Sequence, residues 1–244
     1  MSSPVPLQND KHSKLKITES GDFTRYRNRH LIPIVTRDFF TLAAEFPLVF
    51  VHNSDTDEFI PVAVMGLREG QNLYCQSEQW QAQVIPVSFG NYPLSVARTG
   101  GEDDQLVVLI DETSNMLSET TGTPLYDDNG EQSDYLKRRI ESLSLYAQQL
   151  NQTKAIVKLF KDKNLFNTQQ VQLQHRPDGQ RYNIDGIYTI SEEALNALSD
   201  ESFLELRKNG LLPLIYSHLT SLQQLRRVSK LQYEADQAAK AANA

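Results

Sequence analysis

IPIVTRDFFTLAAEFPLVFVHNSDTDEFIPVAVM, residues 32–65, is the stretch whose reading decides the fold. A short amphipathic segment at 37–45 leads through Phe46-Pro47 into two apolar runs, 48–51 and 59–65. The connector HNSDTDE, residues 52–58, is wholly polar and of hairpin length, so the runs read as antiparallel strands. Shifted by 46 residues, Tyr92-Pro93-Leu94 falls on Phe46-Pro47-Leu48, and Leu106-Val107-Val108-Leu109-Ile110 falls on Ile60-Pro61-Val62-Ala63-Val64. Upstream, Ile32-Pro33-Ile34 is echoed by Ile85-Pro86-Val87 at a different spacing. Two similar strand pairs point to an internal duplication within one sheet, with a ligand cleft between the copies. Chance recurrence of aromatic-Pro-Leu before a strand is the alternative.

Outward from this stretch, residues 15–17 add an edge strand, and the turn at 66–72 leads into Leu73-Tyr74-Cys75 as a third strand of a meander. The polar segment 111–129 is a long surface loop, in which Asp127-Asp128-Asn129-Gly130 lacks the alternating ligands of a calcium loop and reads as a turn. Ser133 is an N-cap, and Leu136, Ile140, Leu143, Ala147, Leu150, Val157 and Phe160 continue one apolar face, giving the longest helix of the chain to about residue 163. A second hairpin joins 170–174 to 182–185 around Pro177-Asp178-Gly179. Ser191-Glu192-Glu193 and Ser199-Asp200-Glu201 start two short helices, and a final helix over 214–240 carries Ile215, Leu219, Leu222 and Leu225 on one stripe. The fold class is α+β: a mostly antiparallel sheet of hairpins, with the duplication open, covered by a long helix and C-terminal helices. Residues 1–13 are expected to be a disordered N-terminal segment, 14–231 a single domain, and 232–244 a frayed tail.

Composition narrows the function classes. Cys75 is the only cysteine among 244 residues, so no intramolecular disulfide and no thiolate zinc cluster can form within one chain. The N-terminus lacks an apolar signal core, and no run of about 20 apolar residues occurs. A cytoplasmic protein without a membrane span is the expectation. With 24 basic and 31 acidic residues the formal charge is −7, which argues against nucleic acid and anionic membranes as partners. A local exception is TRYRNRH at 24–30, where Arg25, Arg27 and Arg29 would share a face of an extended segment beside His30.

Chemical signatures are sparse. No Gly-x-Ser-x-Gly elbow, phosphate loop or dinucleotide fingerprint occurs. The adjacent carboxylates Glu192-Glu193 and Asp103-Asp104 point apart on any regular element. His12, His30, His52, His175 and His218 show no helix-borne metal spacing, although His52 with Asp55 or Asp57 resembles the start of a facial triad that needs distant histidines.

The order His12-x-x-Leu15-x-Ile17, Ile32-Pro33, Phe39, Ala43-Ala44-Glu45-Phe46-Pro47-Leu48-Val49-Phe50, Pro61-Val62-Ala63 and Gly66-Leu67 resembles the bacterial SapC family. The likeness continues through Asn72-Leu73, Trp80, Ile85-Pro86, Tyr92-Pro93, Ile110-Asp111, Gly210 and Leu214-Ile215-Tyr216-x-His218-Leu219-x-Ser221-Leu222, and covers about residues 12–231. The family name is linked with surface layers and peptide-transport permeases, but this chain has no span that would make it a permease. Relatives of this kind often lie beside genes for TonB-dependent receptors, tryptophan-halogenase-like flavoproteins and cupin-like proteins. The resemblance therefore implies an accessory part in nutrient uptake or in a halogenase-like modification pathway. It brings no catalytic residue and no cofactor.

The leading expectation is a non-enzymatic binding or accessory protein that holds a protein partner or small molecule on the sheet and the 111–132 loop. His30, Arg68, Trp80, Tyr216 and His218 are the candidate binding residues, Trp80 either as a stacking platform or as cover for the core edge. The alternative is a metal-dependent enzyme of the non-haem iron type, with His30, His52 or His218 as ligands. Oligomeric state is not set by the sequence.

Overall fold

The computed structural model describes residues 4–100, 105–177 and 179–242. In chain order the strands are β1 (Val5–Pro6), β2 (Lys16–Ile17), β3 (Leu31–Pro33), β4 (Leu48–Asn53), β5 (Glu58–Val64), β6 (Leu94–Arg98), β7 (Leu106–Ile110), β8 (Leu117–Ser118), β9 (Thr123–Pro124), β10 (Phe166–Leu173) and β11 (Tyr182–Ile190). The helices are α1 (Asn9–His12), α2 (Phe39–Leu42), α3 (Asp134–Asp162), α4 (Glu192–Asn196), α5 (Asp200–Lys208), α6 (Leu212–Ser221) and α7 (Leu225–Ala242). All strand pairs are antiparallel, and the class is α+β. The chain divides into two compact units, residues 1–21 with 87–150 and residues 22–86 with 151–244.

The first unit holds two three-stranded sheets, ordered β1-β7-β6 and β8-β2-β9. Ile17, Leu94, Ile110, Met116 and Leu125 form its core together with Leu136 and Leu143 from the first half of α3, the apolar face read from the sequence. Ser133 caps that helix by accepting a hydrogen bond from the Leu136 N–H at 3.2 Å. Residues 4–12 have no periodic pattern, yet they are tied down by hydrogen bonds and strand pairing. Val5 lies opposite Ile110, and buried His12 accepts the Gln8 N–H at 2.9 Å while its other nitrogen meets Glu112 at 3.1 Å. Residues 111–132 contain β8 and β9, so the surface loop expected there is partly sheet. Asp127 accepts the Asn129 and Glu131 N–H groups at 3.0 and 2.8 Å, the turn chemistry read from its sequence.

The second unit is built on one sheet, β10-β11-β4-β5-β3. The hairpin read at 48–64 forms with Leu48 opposite Ala63 and Asn53 opposite Glu58. Alternation buries both faces. Val49, Val62, Val64 and Ile187 fill one cluster. On strand β4 the intervening Phe50 is fully buried too, its ring 4.8 Å from that of Phe166 and 6.3 Å from that of Phe39. Strand β11 runs on past the expected 182–185 to Ile190 and is bent. Gln169 pairs with Ile187 but Val171 with Ile184, so β11 carries an extra residue at Gly186, whose φ of 71° needs glycine.

Three local expectations fail for physical reasons. The strand pair at 94–110 exists, but it lies in a different sheet from 48–64, and its register differs: Leu94 faces Ile110, whereas a 46-residue copy of Leu48–Ala63 would face Leu109. A duplication within one sheet is therefore not what the chain builds. Leu73-Tyr74-Cys75 is buried but turned rather than extended, because the Asn72 side chain accepts the Tyr74 N–H at 2.9 Å and competes with a ladder. A 3-10 helix follows at Val87–Asn91. The last helix is also interrupted, with a 3-10 turn at Leu222–Gln224 separating α6 from α7.

Candidate functional site

The last helix sets up the site. Residues 225–242, LRRVSKLQYEADQAAKAA, are mostly residues that lose little on entering a helix, and α7 spans them. Val228 and Gln232 point inward and are fully buried. Arg226, Lys230, Tyr233, Gln237 and Lys240, spaced by four and three, share a neighbouring face that runs about 21 Å. That face borders two hollows. One, of about 590 Å³, lies between residues 172–175 at the end of β10 and Arg226, Arg227, Ser229 and Lys230. The other, of about 370 Å³, is lined by Arg68, Gln180, Tyr233, Asp236, Gln237 and Lys240. Tyr233 joins them: its ring lies 5.5 Å from that of His175, and the Arg176 guanidinium sits 5.6 Å above it. Gly179 permits this approach, since a Cβ there would come within 3.1 Å of the Tyr233 ring.

Charge is unevenly matched along this trough. Among the described residues no carboxylate lines the first hollow. Arg227 reaches Glu45 at 3.7 Å and Lys230 reaches Glu234 at 3.7 Å, both long for ion pairs. Arg226 has no hydrogen-bond or ion-pair partner among the described residues. In the second hollow the charges of Arg68 and Asp236 are closed on each other. Arg68 pairs with Asp236 at 2.9 Å and donates to the Tyr182 hydroxyl oxygen at 2.7 Å, while that hydroxyl donates to Asp236. Buried Gln232 donates to Asp236 at 3.1 Å and to Gln71 at 2.9 Å, and accepts the Leu67 N–H at 3.4 Å. Burial, and then the hydrogen bond to Asp236, push the Tyr182 hydroxyl above its ordinary pKa. A rigid end, its Arg68–Asp236 pair closed, thus adjoins an open cationic one, with Gln172, Gln180 and Gln237 supplying amide groups along the way.

The five residues singled out from sequence are dispersed. Arg68 lies in the trough. His218 is sealed, donating from Nδ1 to the Leu48 carbonyl at 2.8 Å and accepting the Ile190 N–H on Nε2 at 3.0 Å, so neither nitrogen is left for a ligand. Burial lowers its pKa to about 4. Trp80 packs edge-on to Phe23 at 5.5 Å and near Tyr74 at 6.0 Å, and its N–H donates to the Val84 carbonyl at 3.0 Å, which is the core-edge role. Tyr216 is exposed on α6. His30 is half-buried, with its pKa lowered by burial, and its carbonyl accepts the Met65 N–H at 2.7 Å.

His52 meets Asp57 at 2.9 Å; Phe59, Phe166 and Phe50 stand in succession between it and His218. The three histidines do not converge, and among the described residues no three His, Cys, Asp or Glu side chains gather as a metal site. The arginine face expected at 24–30 is not extended: Thr24–Tyr26 is a 3-10 turn, and Arg25 lies over Phe23 and Tyr26. Cys75 is buried, which raises its thiol to about 11 and makes it a poor nucleophile. Asp103 and Asp104 fall outside the described residues.

Sequence reasoning missed Arg226, Lys230, Tyr233, Tyr182 and Asp236. The four-and-three spacing of polar residues on the final helix is the signal for Arg226, Lys230 and Tyr233, whereas Tyr182 and Asp236 have no local one. Among the described residues no helix is long and apolar enough to cross a membrane. No curated protein and no solved structure matches the chain. The SapC family model matches residues 7–228, most of the chain, and the chain therefore belongs to the SapC family.

Proposed function

We propose that this SapC protein is a non-catalytic binding protein that holds an acidic, extended segment of a partner protein in the trough beside α7. The observation that carries this reading is Arg226, without a partner among the described residues and flanked by Arg227 and Lys230 in a hollow that no described carboxylate lines, on a chain whose formal charge is −7. Arginine offers a carboxylate two parallel donors, and the glutamines offer a peptide backbone both donors and acceptors. A 21 Å face matches about six residues of extended chain. An acidic peptide fits better than nucleic acid, because the cations are few and the rest of the molecule repels a long polyanion. An accessory part in nutrient uptake or halogenase-like modification then consists of recognising a partner. The single buried thiol supports a reducing, cytoplasmic setting.

The test is fluorescence anisotropy with labelled hexaglutamate. Binding should weaken with added salt and fall at least about tenfold in the Arg226→Glu/Lys230→Glu double variant, whose changes lie on the helix surface and leave the fold intact. Equal affinity of the two proteins, or no binding by the wild type at low salt, would sink the proposal.

A further inference from the structure

A third hollow, a cavity of about 550 Å³, lies between the β4–β5 turn and the last turns of α3. Two ion pairs cross it. Lys154 meets Glu58 at 3.2 Å, and Lys161 grips Asp57 twice, at the carboxylate at 2.6 Å and the carbonyl at 2.8 Å. His52 holds the other carboxylate oxygen at 2.9 Å, so Asp57 is fixed in its left-handed conformation, φ 55°. Along the helix between these crossing lysines stands a third pair, Lys158–Asp162 at 2.5 Å, which reaches nothing across the cavity. Both of its members are exposed, with side chains 71% and 53% accessible, so the pair is worth little to stability and exchanges partners cheaply. The apolar lining is Phe59, Ala155 and Val157. Phe59 is held stiffly, stacked on Phe166 at 4.3 Å and edge-on to Tyr188 at 4.9 Å.

We infer that this cavity binds a free α-amino acid with an apolar side chain, its carboxylate on Lys158, its ammonium on Asp162 and its side chain against Phe59. One charge of each sign on a single helical turn, beside a rigid aromatic surface, matches a zwitterion with an apolar body. A purely anionic or purely cationic ligand would leave one member of the pair unmatched. The cavity volume falls in the range of small-molecule sites. This inference is independent of the α7 trough.

The experiment is calorimetric titration of L-phenylalanine, with N-acetyl-L-phenylalanine amide as the uncharged comparison and saturation-transfer NMR to read the ring contact. The wild type should bind L-phenylalanine with its ring saturated, and the uncharged analogue at least about tenfold more weakly. Lys158→Gln/Asp162→Asn should lose about tenfold in affinity for the amino acid while keeping its melting temperature. Equal binding of the two ligands, unchanged affinity in the double variant, or no heat and no saturation transfer at millimolar L-phenylalanine would each overturn it.

Discussion

Replacing His218 by alanine should destabilise the second unit by about 4 kcal/mol, within the range of large core deletions that also orphan buried hydrogen-bonding groups. The ring links helix α6 to two strands at once, through the Leu48 carbonyl and the Ile190 N–H, and it packs 5.2 Å from Phe50. Alanine leaves both backbone groups buried without a partner and opens a void beside Phe50. Denaturant unfolding monitored by circular dichroism measures the loss, and a change under about 1 kcal/mol would show that these bonds do not hold the sheet to the helix.

The same residue makes stability depend on pH. Its folded pKa is depressed from 6.5 to about 4, first by burial, so in acid the unfolded ring takes up a proton that the folded ring refuses. The stabilisation is fully present above about pH 6.5 and is lost as pH falls toward 4, on the order of 3 kcal/mol across that window. His218→Gln, which cannot titrate, should flatten this part of the stability profile.

Gly66→Ala should be nearly as damaging, at about 3 kcal/mol, for a steric reason. A Cβ at Gly66 would sit 1.8 Å from the Gln71 carbonyl oxygen, which is backbone and cannot swing aside. The 66–72 turn would have to open, and it carries Arg68, Gln71 and the Leu67 N–H, all of which hold α7 through Asp236 and Gln232. Hexaglutamate affinity should therefore fall along with stability. Gly70→Ala in the same turn is the control. It meets nothing within 4 Å, and its φ of 74° costs only about 1 kcal/mol. Thermal melts of the two variants should differ clearly, and equal melts would contradict the close approach.

What could be read beforehand follows how local each cause is. The 48–64 hairpin was legible because two apolar runs and a seven-residue polar connector are properties of the stretch itself. Serine caps at 133, 191 and 199 were legible for the same reason, and each accepts the backbone N–H three residues on. Sheet membership was not: Phe46-Pro47-Leu48 and Tyr92-Pro93-Leu94 both introduce strands, yet nothing within three residues says which sheet receives them. Helix placement put His218 inside a motif, but its bonding partners lie 170 and 28 residues away in sequence, so a sealed connector read like a ligand. Of the trough, the polar face of α7 was written in residues 226–240, whereas the hairpin end that faces it depends on the bend at Gly186 and on the Gly179–Tyr233 contact.

The most direct test of the central claim is to map, by amide chemical shifts in a two-dimensional NMR spectrum, where hexaglutamate touches the protein. Titration should move the amides of residues 172–175 and 226–240 together, on one saturable curve that the Arg226→Glu/Lys230→Glu variant abolishes. Shifts that leave those two segments still, or that persist unchanged in the variant, would contradict the assignment of the α7 trough as the binding site.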